Sequence, residues 1–302
     1  MNHPASSSRT PDPRVTEVAV PGGGGPYQLT LDDHQRVWFT LIHAGRLGRL
    51  SPDGSLDTWD LGSSQTRPTA IAITPDGTAW STCSGTGSLV SVQGDQRLPD
   101  ASITSQDASL CGLAATTDGA LWATQMQADT ITRHHPQEGT RHHRLPPGAG
   151  APAMITAAAD DGLWFTLNRT SAVGHLDATG QVEVLTLPTP GAGPVGIAAA
   201  PDGTIWVAEL LAGRLARISS SGSVTEIELP DPGCRPHAVA IGPDGSCWFT
   251  QWASAQVGRL RPDGTLQEVP LRAGSEPHGI TVTPSGSAWI ALEDGHLAHV
   301  VP

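Results

Sequence analysis

Short apolar runs and runs that alternate polar with apolar residues follow one another along most of the chain, separated by turn residues. In one stretch, residues 195–199 and 205–208 are apolar, and Pro201-Asp202-Gly203 lies between them. Residues 214–218 and 224–229 then alternate polar and apolar side chains. Runs of this length joined by hairpin-type turns predict β-strands. The stretch therefore predicts four antiparallel strands, with the two apolar strands inside and the two alternating strands outside.

The same pattern returns seven times, so it is an internal repeat. The tryptophans that mark it are spaced by 42, 42, 42, 42, 42 and 41 residues: Trp38, Trp80, Trp122, Trp164, Trp206, Trp248 and Trp289. A proline precedes each tryptophan by twelve residues, except in the third copy, where Leu110 takes its place. Four-stranded sheets repeated at this period are typical of β-propellers. The sequence thus predicts an all-β, seven-bladed β-propeller with four-stranded antiparallel blades and with the tryptophans packed between neighbouring blades.

The two ends of the chain are expected to complete one blade between them. The last copy ends with its third strand at residues 296–300, and residues 15–21 repeat the pattern of residues 224–230, a fourth strand. The N-terminal strand should therefore complete the seventh blade and close the ring, which leaves no strand edge unpaired between the termini. Residues 1–13 are expected to be a disordered lead-in, and residues 14–302 to form a single propeller domain.

Charge and composition narrow the range of partners. A formal net charge of -12 leaves no basic face, so nucleic acids and anionic membranes are poor partners. No apolar run is long enough to span a bilayer, and the N-terminus lacks the hydrophobic core of a signal peptide. The cysteines have no metal-type spacing and are expected to be free thiols. We expect a cytoplasmic monomer.

Candidate chemistry is expected where the copies differ, at one mouth of the central channel. Two repeat positions should meet there, because antiparallel neighbours begin and end at the same sheet edge. The first follows each repeat proline or Leu110: Tyr27, Thr69, Cys111, Ala153, Val195, His237 and His278. The second lies three residues past each tryptophan, with Glu293 one residue further: Leu41, Cys83, Gln125, Leu167, Glu209, Gln251 and Leu292.

One arc of this mouth, supplied by the sixth, seventh and first blades, is polar. Its members are Tyr27, Arg235, His237, Glu276, His278 and Glu293. Two carboxylates with histidine nearby suit a hard cation such as Mg²⁺, although Zn²⁺ accepts the same ligand types. A neutral histidine beside the ion could take a proton from carbon once the metal polarises the adjacent carbonyl. The alternative is that a histidine at the mouth is only a solvated polar residue without a function. This explanation suits His237 taken alone, but it suits less well two histidines in the same repeat position with glutamates on either side.

Two further side chains near this mouth, those of Glu209 and Trp252, also allow predictions. Glu209, in the fifth blade, has no histidine beside it and is expected to be a solvated carboxylate. Trp252 lies outside the tryptophan repeat and directly follows the second strand of the sixth blade, so it is expected to reach the mouth.

The sequence resembles the virginiamycin B lyase family over nearly all of its length. The motifs that carry the resemblance are Gly-Pro-Tyr27, Arg-Pro-His237-Ala-Val, Glu276-Pro-His278-Gly-Ile, and Trp289 followed four residues later by Glu293. Membership would imply a seven-bladed propeller that linearises type B streptogramin antibiotics, which are cyclic depsipeptides, and so confers resistance to them. It would do so at the ester bond by elimination, as a carbon–oxygen lyase, and not by hydrolysis.

The resemblance also implies a role for each site residue. His278 would be the general base that removes a Cα proton, and Glu276 and Glu293 would hold Mg²⁺. His237 would contact the substrate, and Tyr27 would line the pocket. Two other functions stay open on the same fold: a metal-dependent propeller lactonase or esterase, and a binding propeller without catalysis.

Overall fold

Seven antiparallel sheets make up the protein in the computed structural model, which describes residues 14–104, 109–158 and 162–302. This arrangement confirms the predicted all-β, seven-bladed propeller. The predicted lead-in, residues 1–13, lies outside the described residues.

The strands follow the repeat, blade by blade. β1 (Arg14–Ala19) comes first in the chain, and the first blade consists of β2 (Pro26–Leu31), β3 (Val37–Leu41), β4 (Arg46–Leu50) and β5 (Leu56–Asp60). The second blade consists of β6 (Pro68–Ile73), β7 (Ala79–Cys83), β8 (Ser88–Gln93), β9 (Gln96–Arg97) and β10 (Ala101–Ser102). The third consists of β11 (Leu110–Ala115), β12 (Leu121–Gln125), β13 (Thr130–His135) and β14 (Gly139–Arg144). The fourth to sixth blades are formed by β15 (Pro152–Ala157), β16 (Leu163–Leu167), β17 (Ala172–Leu176) and β18 (Val182–Thr186); β19 (Pro194–Ala199), β20 (Ile205–Glu209), β21 (Arg214–Ile218) and β22 (Val224–Glu228); and β23 (Pro236–Ile241), β24 (Cys247–Gln251), β25 (Gln256–Leu260) and β26 (Leu266–Pro270). The seventh blade contains β27 (Pro277–Val282), β28 (Ala288–Leu292) and β29 (His296–Val301), and short 3-10 turns lie at Ser64–Thr66 and Asn168–Thr170.

The N-terminal strand closes the ring, as predicted. β1 pairs antiparallel with β29, from Arg14 opposite Val301 to Ala19 opposite His296. The backbone N–H of Val20 extends this pairing with a 2.9 Å hydrogen bond to the carbonyl of Gly295. The seventh blade is therefore built from both ends of the chain, and the outer edge of β29 is covered.

The core lies between the blades, and the first strand of each blade faces the central channel. Each first strand contacts the first strand of the next blade, and β27 contacts β2, which makes the ring continuous. Trp38 of the first blade packs with Ile71 of the second, and Trp289 of the seventh blade packs with Leu29 of the first. The periodic tryptophans thus fill the interfaces between blades, as expected for large apolar side chains at repeat positions.

A cation or an imidazole covers the outer face of most of these tryptophans. The cross-strand neighbour of Trp248 is Arg259, whose guanidinium carbon lies 5.1 Å from the ring centroid. In the seventh blade the neighbour of Trp289 is His299, stacked with a 4.5 Å centroid distance. Contacts of this kind add a cation–π or stacking attraction to the area that each tryptophan buries.

Candidate active site

Each blade presents a side chain at the channel mouth by the same backbone device. The residue before the repeat proline or Leu110 has a left-handed conformation, with φ between 49° and 66°, in Gly25, Arg67, Ser109, Ala151, Gly193, Arg235 and Glu276. Its carbonyl accepts a hydrogen bond from the N–H four residues past the tryptophan, for example from Trp252 to Arg235 at 3.0 Å. A register shift follows in the first strand, and β-bulges of this kind redirect side chains. The residue after the proline is placed at the mouth in this way.

Two neighbouring blades fix the position of His278. The hydroxyl of Thr250 in β24 accepts a 3.0 Å hydrogen bond from the N–H of Ala238 and donates a 2.7 Å hydrogen bond to the carbonyl of His278. On the other side, Gly279 allows the first blade to come close, because a Cβ there would lie 2.9 Å from the Tyr27 carbonyl oxygen. The Pro-His-Gly motif therefore sets the backbone distance between the seventh and first blades.

Four rings from three blades converge at the mouth. The His278 centroid lies 4.5 Å from that of Tyr27 and 4.7 Å from that of His237, and the two histidine rings are nearly perpendicular. Trp252 completes the group at 6.3 Å from His278, which confirms that this tryptophan reaches the mouth. The guanidinium carbon of Arg235 stacks over the Trp252 ring at 5.4 Å. The structure thus brings together the four ring-bearing residues that the sequence placed at the mouth.

Glu293 joins this group through two hydrogen bonds from histidines. One carboxylate oxygen, Oε2, bonds to Nε2 of His278. The other, Oε1, lies 2.6 Å from Nε2 of His43, a residue in the loop between β3 and β4. Nδ1 of His278 is buried and has no partner among the described residues. His43 has no signal in the sequence, because its position in the repeat carries no shared residue type.

Burial sets the protonation of the cluster at neutral pH. It lowers the pKa of His237 to about 3, and the charge of His278 acts in the same direction. It also lowers the pKa of His278, although the carboxylates of Glu293 and Glu276 oppose that change. For Glu293, burial opposes ionisation, but the hydrogen bonds and charges of His43 and His278 lower its pKa. Burial raises the pKa of the Tyr27 hydroxyl. At neutral pH His237 and His278 are therefore neutral, Tyr27 keeps its proton and Glu293 is ionised.

Glu276 lies beside this cluster with its side chain exposed. The backbone N–H of Glu293 donates a 3.3 Å hydrogen bond to the Glu276 carbonyl, so the two residues adjoin at the mouth. The Glu276 carboxylate makes no hydrogen bond to the described residues, and its charge opposes the lowering of the His278 pKa. The two residues are therefore adjacent through their backbones, and the Glu276 carboxylate is available to another ligand.

The chain is similar to a known protein family over almost all of its length. The model of the virginiamycin B lyase family matches residues 13–300. The chain belongs to the virginiamycin B lyase family. A virginiamycin B lyase from Nocardia farcinica is 43% identical over 70 residues, which are 23% of this chain and 24% of that protein. A second, from Mycolicibacterium vanbaalenii, is 39% identical over 64 residues, which cover 20% and 22% of the two chains. The alignments thus span about a quarter of these curated relatives.

Solved structures of family members match the whole fold. The virginiamycin B lyase of Staphylococcus aureus superimposes with a TM-score of 0.92 at 28% identity, over 96% of this chain and 100% of that one. A streptogramin B lyase gives a TM-score of 0.92 at 29% identity, over 96% and 98% of the chains. A catalytically inactive S. aureus variant, with one histidine replaced by alanine, was solved with quinupristin and gives a TM-score of 0.91 at 28% identity, over 96% and 100% of the chains.

The prediction for the residues three past the tryptophans was wrong. All of these side chains are buried, from Leu41 to Leu292. Each of these residues is still part of the second strand of its blade, where successive side chains point to opposite faces of the sheet. These side chains point to the face that packs against a neighbouring blade. Leu41 of the first blade, for example, packs with Ala291 and Leu297 of the seventh. The next position, occupied by Trp252 and Glu293, is the one that reaches the mouth.

Glu209 is the member of this set that differs most from its prediction. It was expected to be solvated, but it is 0% exposed, and neither carboxylate oxygen has a hydrogen-bond partner within bonding geometry among the described residues. Burial, together with the charge of Glu226, raises its pKa to about 8. Glu209 is therefore a buried carboxylic acid at neutral pH.

The two carboxylates expected to hold Mg²⁺ fit that ion by their chemistry. The Glu276 side chain is exposed and makes no hydrogen bond to the described residues, and Glu293 adjoins it through the backbone. Each oxygen of Glu293 already accepts from a histidine but has a second lone pair. Within residues 14–104, 109–158 and 162–302, no three His, Cys, Asp or Glu side chains form a ready metal site. A Mg²⁺ ion here would therefore complete its shell with water and substrate oxygens, as Mg²⁺ commonly does, and its binding stays a prediction.

The structure also bears on membrane crossing. Across the part of the chain that it describes, there is no helix with the length and apolar character that a bilayer span requires.

Proposed function

We propose that this protein is a carbon–oxygen lyase that inactivates type B streptogramins by opening their ring ester through elimination. The observation that carries the proposal is the contact of His278 with Glu293 inside the ring of Tyr27, His237 and Trp252. Two findings on relatives support it: the family is that of the virginiamycin B lyases, and one relative was solved with quinupristin. That relative is inactive with a histidine replaced, which fits a histidine-dependent reaction.

His278 is the proposed general base. Glu293 is ionised and accepts the Nε2–H of His278, so the lone pair of the neutral imidazole is on Nδ1. Nδ1 has no partner among the described residues, and the lowered pKa of His278 keeps it unprotonated near neutral pH. A carboxylate that orients one imidazole nitrogen and leaves the other to accept a proton is a recurring arrangement in general-base catalysis.

The proposed reaction balances without water or an oxidant. His278 takes the proton from Cα of the residue that carries the ester oxygen on Cβ. The electron pair of that C–H bond forms a Cα–Cβ double bond, and the Cβ–O bond breaks with its electron pair on oxygen. The leaving group is a carboxylate, and the product is a linear peptide with a dehydro-residue and an unchanged mass.

The neighbouring groups support this proton transfer. The Tyr27 hydroxyl stays protonated because burial raises its pKa, so it can donate a hydrogen bond to substrate. His237 stays neutral, and its buried Nδ1, which has no partner among the described residues, is suited to a substrate polar group. Mg²⁺, held by Glu276 and Glu293, would supply positive charge to stabilise the developing charge on the carbonyl next to Cα.

Mass spectrometry of a type B streptogramin incubated with the protein tests the proposal. With Mg²⁺ present, we expect a new chromatographic peak of unchanged mass, absent with EDTA and absent in the His278→Ala variant. His34→Ala is the matched control, because His34 is an exposed histidine in the turn between β2 and β3, at the end of these strands away from Tyr27. It should turn over substrate like the unmodified protein.

Two results would contradict the proposal in different ways. A product heavier by one water would show ester hydrolysis and replace the lyase with a lactonase. Full ring opening by His278→Ala would remove His278 as the base. If the unmodified protein leaves the antibiotic unchanged, the streptogramin assignment is wrong.

A further inference from the structure

His43 connects the first blade to the proposed general base across the ring closure. Its Nε2 lies 2.6 Å from Oε1 of Glu293, a residue 250 positions later in the chain. Within the described residues, the His43 side chain makes no hydrogen bond other than this one to Glu293. The His43 side chain is 58% exposed, whereas that of Glu293 is 23% exposed. An exposed side chain therefore reaches inward to a half-buried carboxylate.

The local backbone holds His43 in this orientation. The N–H of Ile42 donates to the carbonyl of Gly25 and the N–H of His43 to that of Gly24, both at 3.0 Å. A Cβ on Gly25 would lie 2.3 Å from Cδ2 of His43, so the imidazole lies directly against the glycine backbone. Any side chain at position 25 would push the ring away from Glu293.

Glycine at position 25 is not explained by backbone conformation alone. The equivalent residue has a positive φ in every blade, yet other blades place Arg67, Ala151 or Glu276 there. The fifth blade also has a glycine, Gly193, and there a Cβ would meet Leu211 at 2.8 Å. Leu211 and His43 both lie five residues past their tryptophan. In both blades, glycine thus precedes the proline where the side chain five residues past the tryptophan folds back over it. In the first blade that side chain is His43, a hydrogen-bond donor.

We propose that His43 is a positioning residue that holds Oε1 of Glu293, so that Oε2 is fixed on Nε2–H of His278 and the base lone pair stays on Nδ1. Glu293 follows the end of β28, and its long side chain is held at the carboxylate by these two histidines. Without His43 the carboxylate can rotate away, and His278 can then adopt either tautomer. The consequence for turnover rests on the proposed function, whereas the geometry of His278 does not.

The test separates geometry from activity. We would record the ring ¹⁵N spectrum of His278 in the substrate-free protein and in its His43→Leu and His43→Gln variants. Glutamine places an amide N–H at a reach similar to that of Nε2 of histidine, and leucine removes the donor. We expect one tautomer in the unmodified protein, a mixture in His43→Leu, and recovery in His43→Gln. His34→Gln, which changes an exposed histidine in the β2–β3 turn of the same blade, is the control.

Turnover of a type B streptogramin gives the second readout. We expect His43→Leu to lower kcat by about 10- to 100-fold with little change in KM, as for other groups that orient a catalytic side chain, and His43→Gln to restore much of it. An unchanged His278 tautomer in His43→Leu would overturn the proposal, and so would a loss of kcat that glutamine does not restore. If the tautomer responds as expected but the unmodified protein has no turnover, the positioning role stands and the proposed function fails.

Discussion

Glutamine in place of Glu209 should stabilise the protein at alkaline pH and have little effect near pH 5. Glu209 is fully buried at the end of β20, close to Glu226 on β22. Glu226 is already bonded to Thr189 and to Arg214, and the charge of Arg214 only partly offsets the burial of Glu209. In the sixth blade the equivalent pair is Gln251 and Glu268, and Gln251 donates a 2.8 Å hydrogen bond to Glu268. Both pairs are separated by 17 residues, so Gln251 shows the geometry that glutamine would adopt at position 209.

The size of the effect follows from the pKa of Glu209. Burial and Glu226 raise that pKa from 4.5 to about 8 in the folded protein. Between these two pH values the folded state binds a proton that the unfolded state has released, so the free energy of unfolding falls as pH rises through this window. The full shift corresponds to at most about 5 kcal/mol. Because Glu226 shares the effect, we expect a gain of about 2 kcal/mol for Glu209→Gln at pH 9.

Thermal unfolding at pH 5 and pH 9 measures this prediction. A gain of that size corresponds to a rise in Tm of about 4 °C for a domain of this length. Gln251→Glu is the matched reverse variant and should lose stability at pH 9 while keeping it at pH 5. An equal change in Tm at both pH values for Glu209→Gln, or a lower Tm at pH 9, would refute the explanation through a buried carboxylic acid.

Two further predictions concern the fold. Gly258→Ala should lower Tm and cost about 1 to 3 kcal/mol, because its Cβ would lie 2.0 Å from Cζ of the fully buried Phe249. A chemical denaturation curve with an unchanged midpoint would contradict this. Removal of residues 14–21 should expose the edge of β29 and either lower Tm by about 10 °C or more or cause aggregation. A truncated chain that melts like the full one and stays monodisperse in size-exclusion chromatography would contradict the role of β1 in closing the ring.

Much of the candidate site could be predicted because it follows the repeat. Tyr27, His237 and His278 occupy one repeat position, and the closure of the ring makes the seventh and first blades neighbours. Their contact at the mouth therefore follows from the periodicity and the topology together. Glu293 could be placed near them because it follows the second strand of the same blade as His278. Which role each residue plays in catalysis stays a prediction.

The other features depended on the directions of individual side chains, which periodicity does not give. Glu209 and Gln251 lie at the predicted end of the disc, but strand alternation turns them into the interfaces between blades. His43 is in a loop, and its bond to Glu293 needs the close approach to Gly25 and the joining of two chain ends. Neither condition leaves a pattern at the spacing of the repeat.

The sequence by itself determined the number of blades, their four strands, the closure by the N-terminal strand and the arc that carries the polar residues. Those features are repeated or local, so hydrophobic periodicity and turn residues encode them directly. The tertiary structure decided which strand-end side chains are buried and which carboxylate the histidines share. It did so because burial and contact depend on atoms supplied by distant blades, such as Thr250 beside His278 and His43 beside Glu293.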